Sequence, residues 1–170
     1  MVFYVSLFLL AFVYTNLLEW LIHKYVFHGM GKKRKSLFST HWHIHHRGCR
    51  KNQGHDHTYK EFPPHDTVRH EILSLVALCI IHLPVLWLSS FFYGCLVFFS
   101  CRYFYLHRKS HMDVEWARKH LPWHYEHHMG RNQDANWGVT NPLWDHIMGT
   151  RIKCLTTNIP PTTTNSNSET

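Results

Sequence analysis

The sequence predicts an all-α fold in which helices embedded in a membrane carry a helical cap on the cytoplasmic side, and three observations lead to it. Apolar residues are 45 % of the 170-residue chain, yet they gather in two blocks, residues 2–22 and 72–106, with basic segments between and after them. Histidine supplies 18 residues, and most of these recur three to five positions apart, the spacing that brings side chains to one face of a helix. The formal net charge of +7 would suit nucleic acid, but aromatic-rich apolar runs bounded by Lys and Arg fit a membrane with its basic side toward the cytoplasm. No nucleic-acid partner is therefore expected. Five cysteines without a C-x-x-C pair give neither a disulfide framework nor a zinc ribbon, and Cys79, Cys95 and Cys101 lie in apolar sequence where thiols pack as small hydrophobes.

Residues 2–22, VFYVSLFLLAFVYTNLLEWLI, carry no charge before Glu19, and about 20 residues at 1.5 Å each span a hydrocarbon core of ~30 Å. No basic residue precedes this run and no small-x-small cleavage site follows it, so a membrane helix is expected rather than a cleaved signal. That helix continues through Glu19, which either holds the second N–H of His23 or is a plain interfacial carboxylate, and on to His28 in H-K-Y-V-F-H. Gly29 and Gly31 end it, and Lys32, Lys33, Arg34 and Lys35 form a juxtamembrane basic patch. In the next segment, T-H-W-H-I-H-H-R, an α-helix would put His41 and His45 on one face and His43 and His46 on a neighbouring one. His41, His45 and His46 are the favoured ligands, with His43 as the alternative. The Gly-, Asn- and Pro-rich stretch 48–70 reads as a surface loop, and its His55, His57, His65 and His70 as loop residues.

From Ile72 to Leu106 the chain is apolar for about 35 residues, ~52 Å as one helix, so it must fold back, and Pro84 with Ser89-Ser90 marks the turn. Two helices of about 17 residues result, short for full crossings and suited to dipping into the bilayer or thinning it. His82 is expected to be structural or pore-facing rather than a ligand. Residues 102–128 continue as helices, the second begun by Pro122, carrying His107, His111, His124, His127 and His128. Residues 130–151 bring turn signals and an amphipathic, aromatic end over the site. Basic residues flank both His-bearing segments, which places all four clusters on the cytoplasmic side. The expected organisation is one membrane domain over 1–155 and a disordered polar tail over 156–170.

About ten well-placed imidazoles are too many for one ion and right for two, each with an open position for oxygen or water. Zincin H-E-x-x-H is absent, the inverted form H-x-x-E-H fails at Trp123, and the Glu-x-x-His pairs of carboxylate-bridged di-iron bundles are missing. An all-imidazole pair of irons in a membrane, with zinc as a possible substitute, points to oxygen activation on a lipid. A non-enzymatic metal-binding or metal-transport protein is the alternative, and it calls for polar residues through the spans, which are nearly devoid of them.

The series H-K-Y-V-F-H, H-W-H-I-H-H, H-R-K-S-H and H-Y-E-H-H resembles the histidine boxes of the fatty acid hydroxylase / sterol desaturase superfamily of membrane di-iron enzymes. The closing W-G-V-T-N-P-L-W-D-H-I-M-G-T is similar to its fatty acid 2-hydroxylase branch more than to the carotenoid hydroxylases, which share the small size and stand as the alternative substrate class. The resemblance covers roughly residues 15–151. It implies metal binding by His23, His28, His45, His46, His107, His111, His124, His127 and His128, with His41 or His43 completing the second box, whose usual first histidine is Trp42 here. It also implies two Fe ions, O2 as co-substrate, hydroxylation of a lipid C–H bond, and an external electron donor of cytochrome b5 or ferredoxin type. The location implied is the endoplasmic reticulum in a eukaryote or the inner membrane in a bacterium. Glu126 and Asp145 are candidates to orient imidazoles.

Overall fold

The computed structural model describes residues 1–153, so the tail expected over 156–170 lies outside the described residues. Helix α1, Val2–Leu21, forms from the first apolar block and is about 30 Å long. It passes without a break into a π-helical segment, Ile22–Met30. Together, Val2–Met30 is the one helix among the described residues long and apolar enough to cross a membrane. A second π-helical segment, His41–His46, runs directly into α2, Arg47–Lys51. After a 3-10 turn at His57–Lys60 come α3 (Asp66–Ile81), α4 (Val85–Leu88), α5 (Ser90–Met112), α6 (Val114–His120), α7 (Pro122–Met129) and α8 (Leu143–Ile147). No strand occurs among the described residues, and the fold is all-α.

The second apolar block folds back between Ile81 and Ser90, around Pro84, and Ser89 caps α5 by accepting from the N–H of Phe92. Its first arm starts earlier than the apolar pattern suggests. Helix α3 begins at Asp66, because His65 Nδ1 accepts from the N–H of Thr67 and Asp66 sits favourably in the first turn. Residues 66–70, expected as the end of a surface loop, are therefore helical.

Helix α1 lies along α5 through Ala11, Cys95 and Phe99, with Phe12 and Phe92 packed around them. In hydrocarbon the lipid is as apolar as these side chains, so close packing is what holds the pair, and the small, fully buried Ala11 allows it. The turn of the hairpin is fastened to the same helix. His82 donates from Nδ1 to the carbonyl of Leu78, and its Nε2 accepts from the hydroxyl of Tyr14 at 2.8 Å. Leu9 and Leu10 on α1, Ile80 and Ile81 on α3, and Trp87 and Leu88 in the hairpin stand exposed, an apolar surface that suits lipid rather than water.

After α7 the chain returns over the end of α1, and two carboxylates fix it there. Glu19 accepts from the N–H of Val139, the N–H of Thr140 and the hydroxyl of Thr140. The fully buried Asp145 accepts from the N–H groups of Trp137 and Gly138, from Trp20 Nε1 and from Thr150 Oγ1. A side chain at Gly138 would put its Cβ 2.2 Å from the carbonyl oxygen of Asn141 and 3.1 Å from the Asp145 carboxylate. Only glycine fits that clasp.

Candidate metal centre

Two of the histidine boxes have a spacing of five, His23 with His28 and His41 with His46. In an α-helix such residues point about 140° apart. Both boxes are π-helical here, with hydrogen bonds such as Gly31 N–H to the carbonyl of Val26, five residues back. The wider turn brings residues five apart onto one face, and π-helical segments of this kind gather at functional sites. His107 and His111 are four apart on α5, and His124, His127 and His128 occupy the inner face of α7.

Ten buried imidazoles result, in two groups. Donor nitrogens of His23, His28, His46 and His127 lie within 4.8 Å of one another, as do those of His45, His107, His111 and His128. His41 joins the first group, its Nε2 3.2 Å from that of His23, and His124 joins the second, its Nε2 3.1 Å from that of His111. In the first group the Nε2 atoms of His28, His46 and His127 form a triangle with sides of 3.0, 3.1 and 3.2 Å. Metal–nitrogen bonds of about 2.1 Å at octahedral or tetrahedral angles place neighbouring donors about 3.0–3.4 Å apart. Adjacent residues divide between the groups: His45 and His46 part company, and so do His127 and His128.

The outer ring nitrogens show which atoms face inward. His23 Nδ1 donates to the carbonyl of Trp137 at 2.7 Å, His127 Nδ1 to that of Ala135 at 2.7 Å and His111 Nδ1 to that of Gly54 at 3.1 Å. A carbonyl only accepts, so each Nδ1 bears the proton and each Nε2 presents a lone pair to the interior. His45 Nδ1 meets the Asp56 carboxylate at 2.6 Å and His107 Nδ1 meets Glu71 at 2.5 Å, while the Nε2 atoms of both, like that of His128, are buried without a partner. Lone pairs aimed at one another and orphaned buried nitrogens are both satisfied by cations between them. The residues present thus fit two metal ions, and carbonyls and carboxylates behind the imidazoles hold the rings in place.

Burial pushes the imidazoles of His41, His46, His107, His111, His124, His127 and His128 below their ordinary range, with neighbouring imidazoles adding to the effect. They are neutral at physiological pH, the state in which histidine binds metal. Burial works to raise Asp56, but its hydrogen bond and attraction to His45 and the bonds from Thr58 outweigh it and hold the carboxyl below its usual range. Burial pushes the Glu71 carboxyl up to about 7, against the hydrogen bond it accepts from Tyr59.

Of the eleven histidines singled out from the sequence, the structure brings ten together and leaves His43 outside. Its Nε2 donates to the carbonyl of Lys32, because the π-helical turn that aligns His41 with His46 rotates position 43 toward the surface. His55, His57, His65, His70, His82 and His120 also lie outside both groups; His70, for example, pairs with Thr40, and His120 with the carbonyl of Trp116. Three carboxylates differ from expectation. Glu19 binds the 139–140 backbone and leaves His23 to Trp137, Glu126 pairs with Arg151 at 2.5 Å, and Asp145 reaches His23 only through the Trp137 loop it anchors. The direct supports, Asp56, Tyr59 and Glu71, come from the stretch read as a surface loop and from the head of α3. The available signal was a carboxylate at the mouth of an apolar run, where a solvated role is costly.

A family model described as fatty acid hydroxylase matches residues 8–150. The dihydroceramide fatty acyl 2-hydroxylases FAH2 and FAH1 of Arabidopsis thaliana are 29 % and 32 % identical to the chain over 142 and 146 residues, covering 79 % and 82 % of it and 56 % and 57 % of their own lengths. The ceramide very long chain fatty acid hydroxylase SCS7 of Saccharomyces cerevisiae is 28 % identical over 154 residues, 84 % of this chain and 36 % of the yeast protein. The chain thus spans about half the length, or less, of the curated relatives it matches. No solved structure matches it.

Proposed function

Since the chain belongs to the fatty acid hydroxylase family, we propose that it hydroxylates the acyl chain of a membrane lipid with O2, using two iron ions held by ten histidines. The observation that carries this reading is the pair of inward-facing imidazole groups, with donor separations of 3.0–3.2 Å and the outer nitrogens of His23, His45, His107, His111 and His127 tied to fixed acceptors. His23, His28, His41, His46 and His127 would hold one ion, and His45, His107, His111, His124 and His128 the other. Iron so held would activate O2 with two electrons from an external donor of cytochrome b5 or ferredoxin type and two protons, so that one oxygen atom enters a C–H bond and the other leaves as water.

The protein's own residues orient and exclude. Asp56 and Glu71 fix the rings of His45 and His107, Tyr59 bridges Glu71 and His107, and the Trp137–Val139 backbone closes over His23. Buried apolar residues beside these polar supports, Trp137 and Val139 among them, keep water from the reacting atoms. The Arabidopsis and yeast relatives are fatty acyl hydroxylases, which favours an acyl chain over a carotenoid. The basic run at Lys32–Lys35, beside the first box, supports a site on the cytoplasmic side of the membrane.

The test is reconstitution of the purified protein in nanodiscs with iron, a donor chain and a ceramide extract under isotopically labelled O2. A product heavier by one labelled oxygen atom is expected. Stoichiometric metal without any product would replace hydroxylation by metal storage or transport.

A further inference from the structure

Trp42 stands in the middle of the second box and offers a metal no donor, yet its ring lies against two imidazoles of the cage. It meets the ring of His46 at 5.3 Å and 30° and that of His28 at 5.0 Å and 71°. Five aromatic side chains, Phe27, Trp42, Tyr59, Tyr103 and Trp137, pack against the caged imidazoles. Four of them are buried, and Trp42 alone is partly exposed. Lys32 Nζ lies 4.7 Å from the centre of the same ring.

The surface around this indole carries charge of one sign. From Lys32 to Lys51 the chain has seven Lys and Arg, all exposed, and no Asp or Glu. The helix that turns His45 and His46 inward presents Ile44, Arg47 and Lys51 outward. Arg50 binds the carbonyls of His128 and Gly130, which brings Arg131, the next residue, to the same face. Asp134 reaches this face too, and Lys32 matches its charge at 2.6 Å. A basic rim around a half-buried indole and the 40 % exposed Ile44 has the anatomy of an interface, with charge outside and an apolar centre.

We propose that this face docks a small acidic one-electron carrier protein, and that Trp42 is the residue through which electrons enter the cage. This rests on the hydroxylase reading, which calls for two electrons from outside, and adds where they enter. Each docking moves one electron: the reduced carrier is oxidised, and a ferric ion held by the imidazoles becomes ferrous. Two dockings supply one turnover. Charge on the rim orients the carrier and speeds encounter more than it prolongs the complex, which suits a partner that leaves after each electron. Electron tunnelling weakens more steeply across solvent than through packed atoms, so a ring exposed on one side and stacked on His46 on the other shortens the costly part of the gap. His45, the residue before His46, belongs to the second imidazole group, so one entry point serves both. A membrane of acidic headgroups would also meet such a rim, but it has no use for an indole stacked on a caged imidazole.

The test uses the full chain in nanodiscs of uncharged phosphatidylcholine, loaded with redox-inert zinc, and a soluble acidic cytochrome b5 domain as the probe. Binding by surface plasmon resonance should weaken as salt rises. Arg47→Glu with Lys51→Glu should weaken it about tenfold or more, whereas Lys60→Glu with Lys119→Glu, exposed elsewhere, should leave it unchanged. A photoreactive residue at position 44 should crosslink to the probe, and one at position 119 should not. With iron bound, stopped-flow oxidation of saturating reduced probe should be slower for Trp42→Leu than for wild type at equal metal content, and Trp42→Phe should restore it. If the Leu variant loses metal, Trp42→Met takes its place. Binding indifferent to the Arg47 and Lys51 reversals, equal crosslinking from both positions, or an unchanged rate in the non-aromatic variant would each overturn the assignment. So would labelling of added phosphatidylserine, in place of the probe, from position 44. Docking and reduction need no lipid substrate, so the two readings separate: both intact without hydroxylated product sinks the hydroxylase and keeps the entry site, whereas product with docking indifferent to charge does the reverse.

Discussion

His41 and His43 are two residues apart and differ completely in what they touch. The Nε2 of His41 is 3.2 Å from that of His23 inside the cage, while His43 donates to the carbonyl of Lys32 at its edge. His41→Ala should therefore lower bound metal by elemental analysis, and His43→Ala should leave it at the wild-type level. Equal losses would mean that position 43 turns inward. The sequence made the imidazoles themselves legible, because residue type and recurrence are local information. It concealed the groups that steady them: Asp56 lies 11 residues from His45, Glu71 lies 36 from His107 and Tyr59 lies 48 from His107. Nothing local in the chain links such pairs, and Asp56 sits among Gly, Asn and His that read as an ordinary loop.

The helical elements were legible wherever one residue type dictates geometry. Pro84 breaks the second apolar block and Pro122 starts α7, both as expected from a ring that fixes φ and removes an N–H. The two π-helical segments were not, since an α-helix is the default for any helical run, and the repeated spacing of five was the one trace of them. The first segment ends where Gly31 passes close to its neighbours: a Cβ there would lie 1.9 Å from the carbonyl oxygen of Phe27 and 2.9 Å from that of Phe38. Two glycines two residues apart therefore test the element. Gly31→Ala should destabilise by more than about 2 kcal/mol and release metal, because relieving the clash unwinds the turn that aligns His23 with His28. Gly29→Ala, whose Cβ meets nothing nearer than 3.4 Å, should be neutral or slightly stabilising. Thermal midpoints in detergent, read beside metal content, check both.

Taken as one body, the protein encloses in its interior many bases that the unfolded chain would expose. Burial lowers seven of these imidazoles from an ordinary value of 6.5, so below that pH the unfolded chain binds more protons than the folded one. Stability is then full above about pH 6.5 and is lost as pH falls, by about 1.4 kcal/mol per pH unit for each group that stays neutral only when folded. The thermal midpoint of the metal-free protein should hold above about pH 6.5 and drop steeply from there to about pH 5, and a flat profile would show that the interior is open to water. The divided pairs His45-His46 and His127-His128 carry a last implication. Consecutive α-carbons are 3.8 Å apart across a fixed peptide unit, so each pair works as a rigid ruler with one mark in either group. An ion captured by His46 and His127 would immobilise the backbone that presents His45 and His128, and a second ion would then meet donors already ordered. Loading is therefore concerted: during titration with iron or zinc, native mass spectrometry should show chains with two ions or none, and few with one.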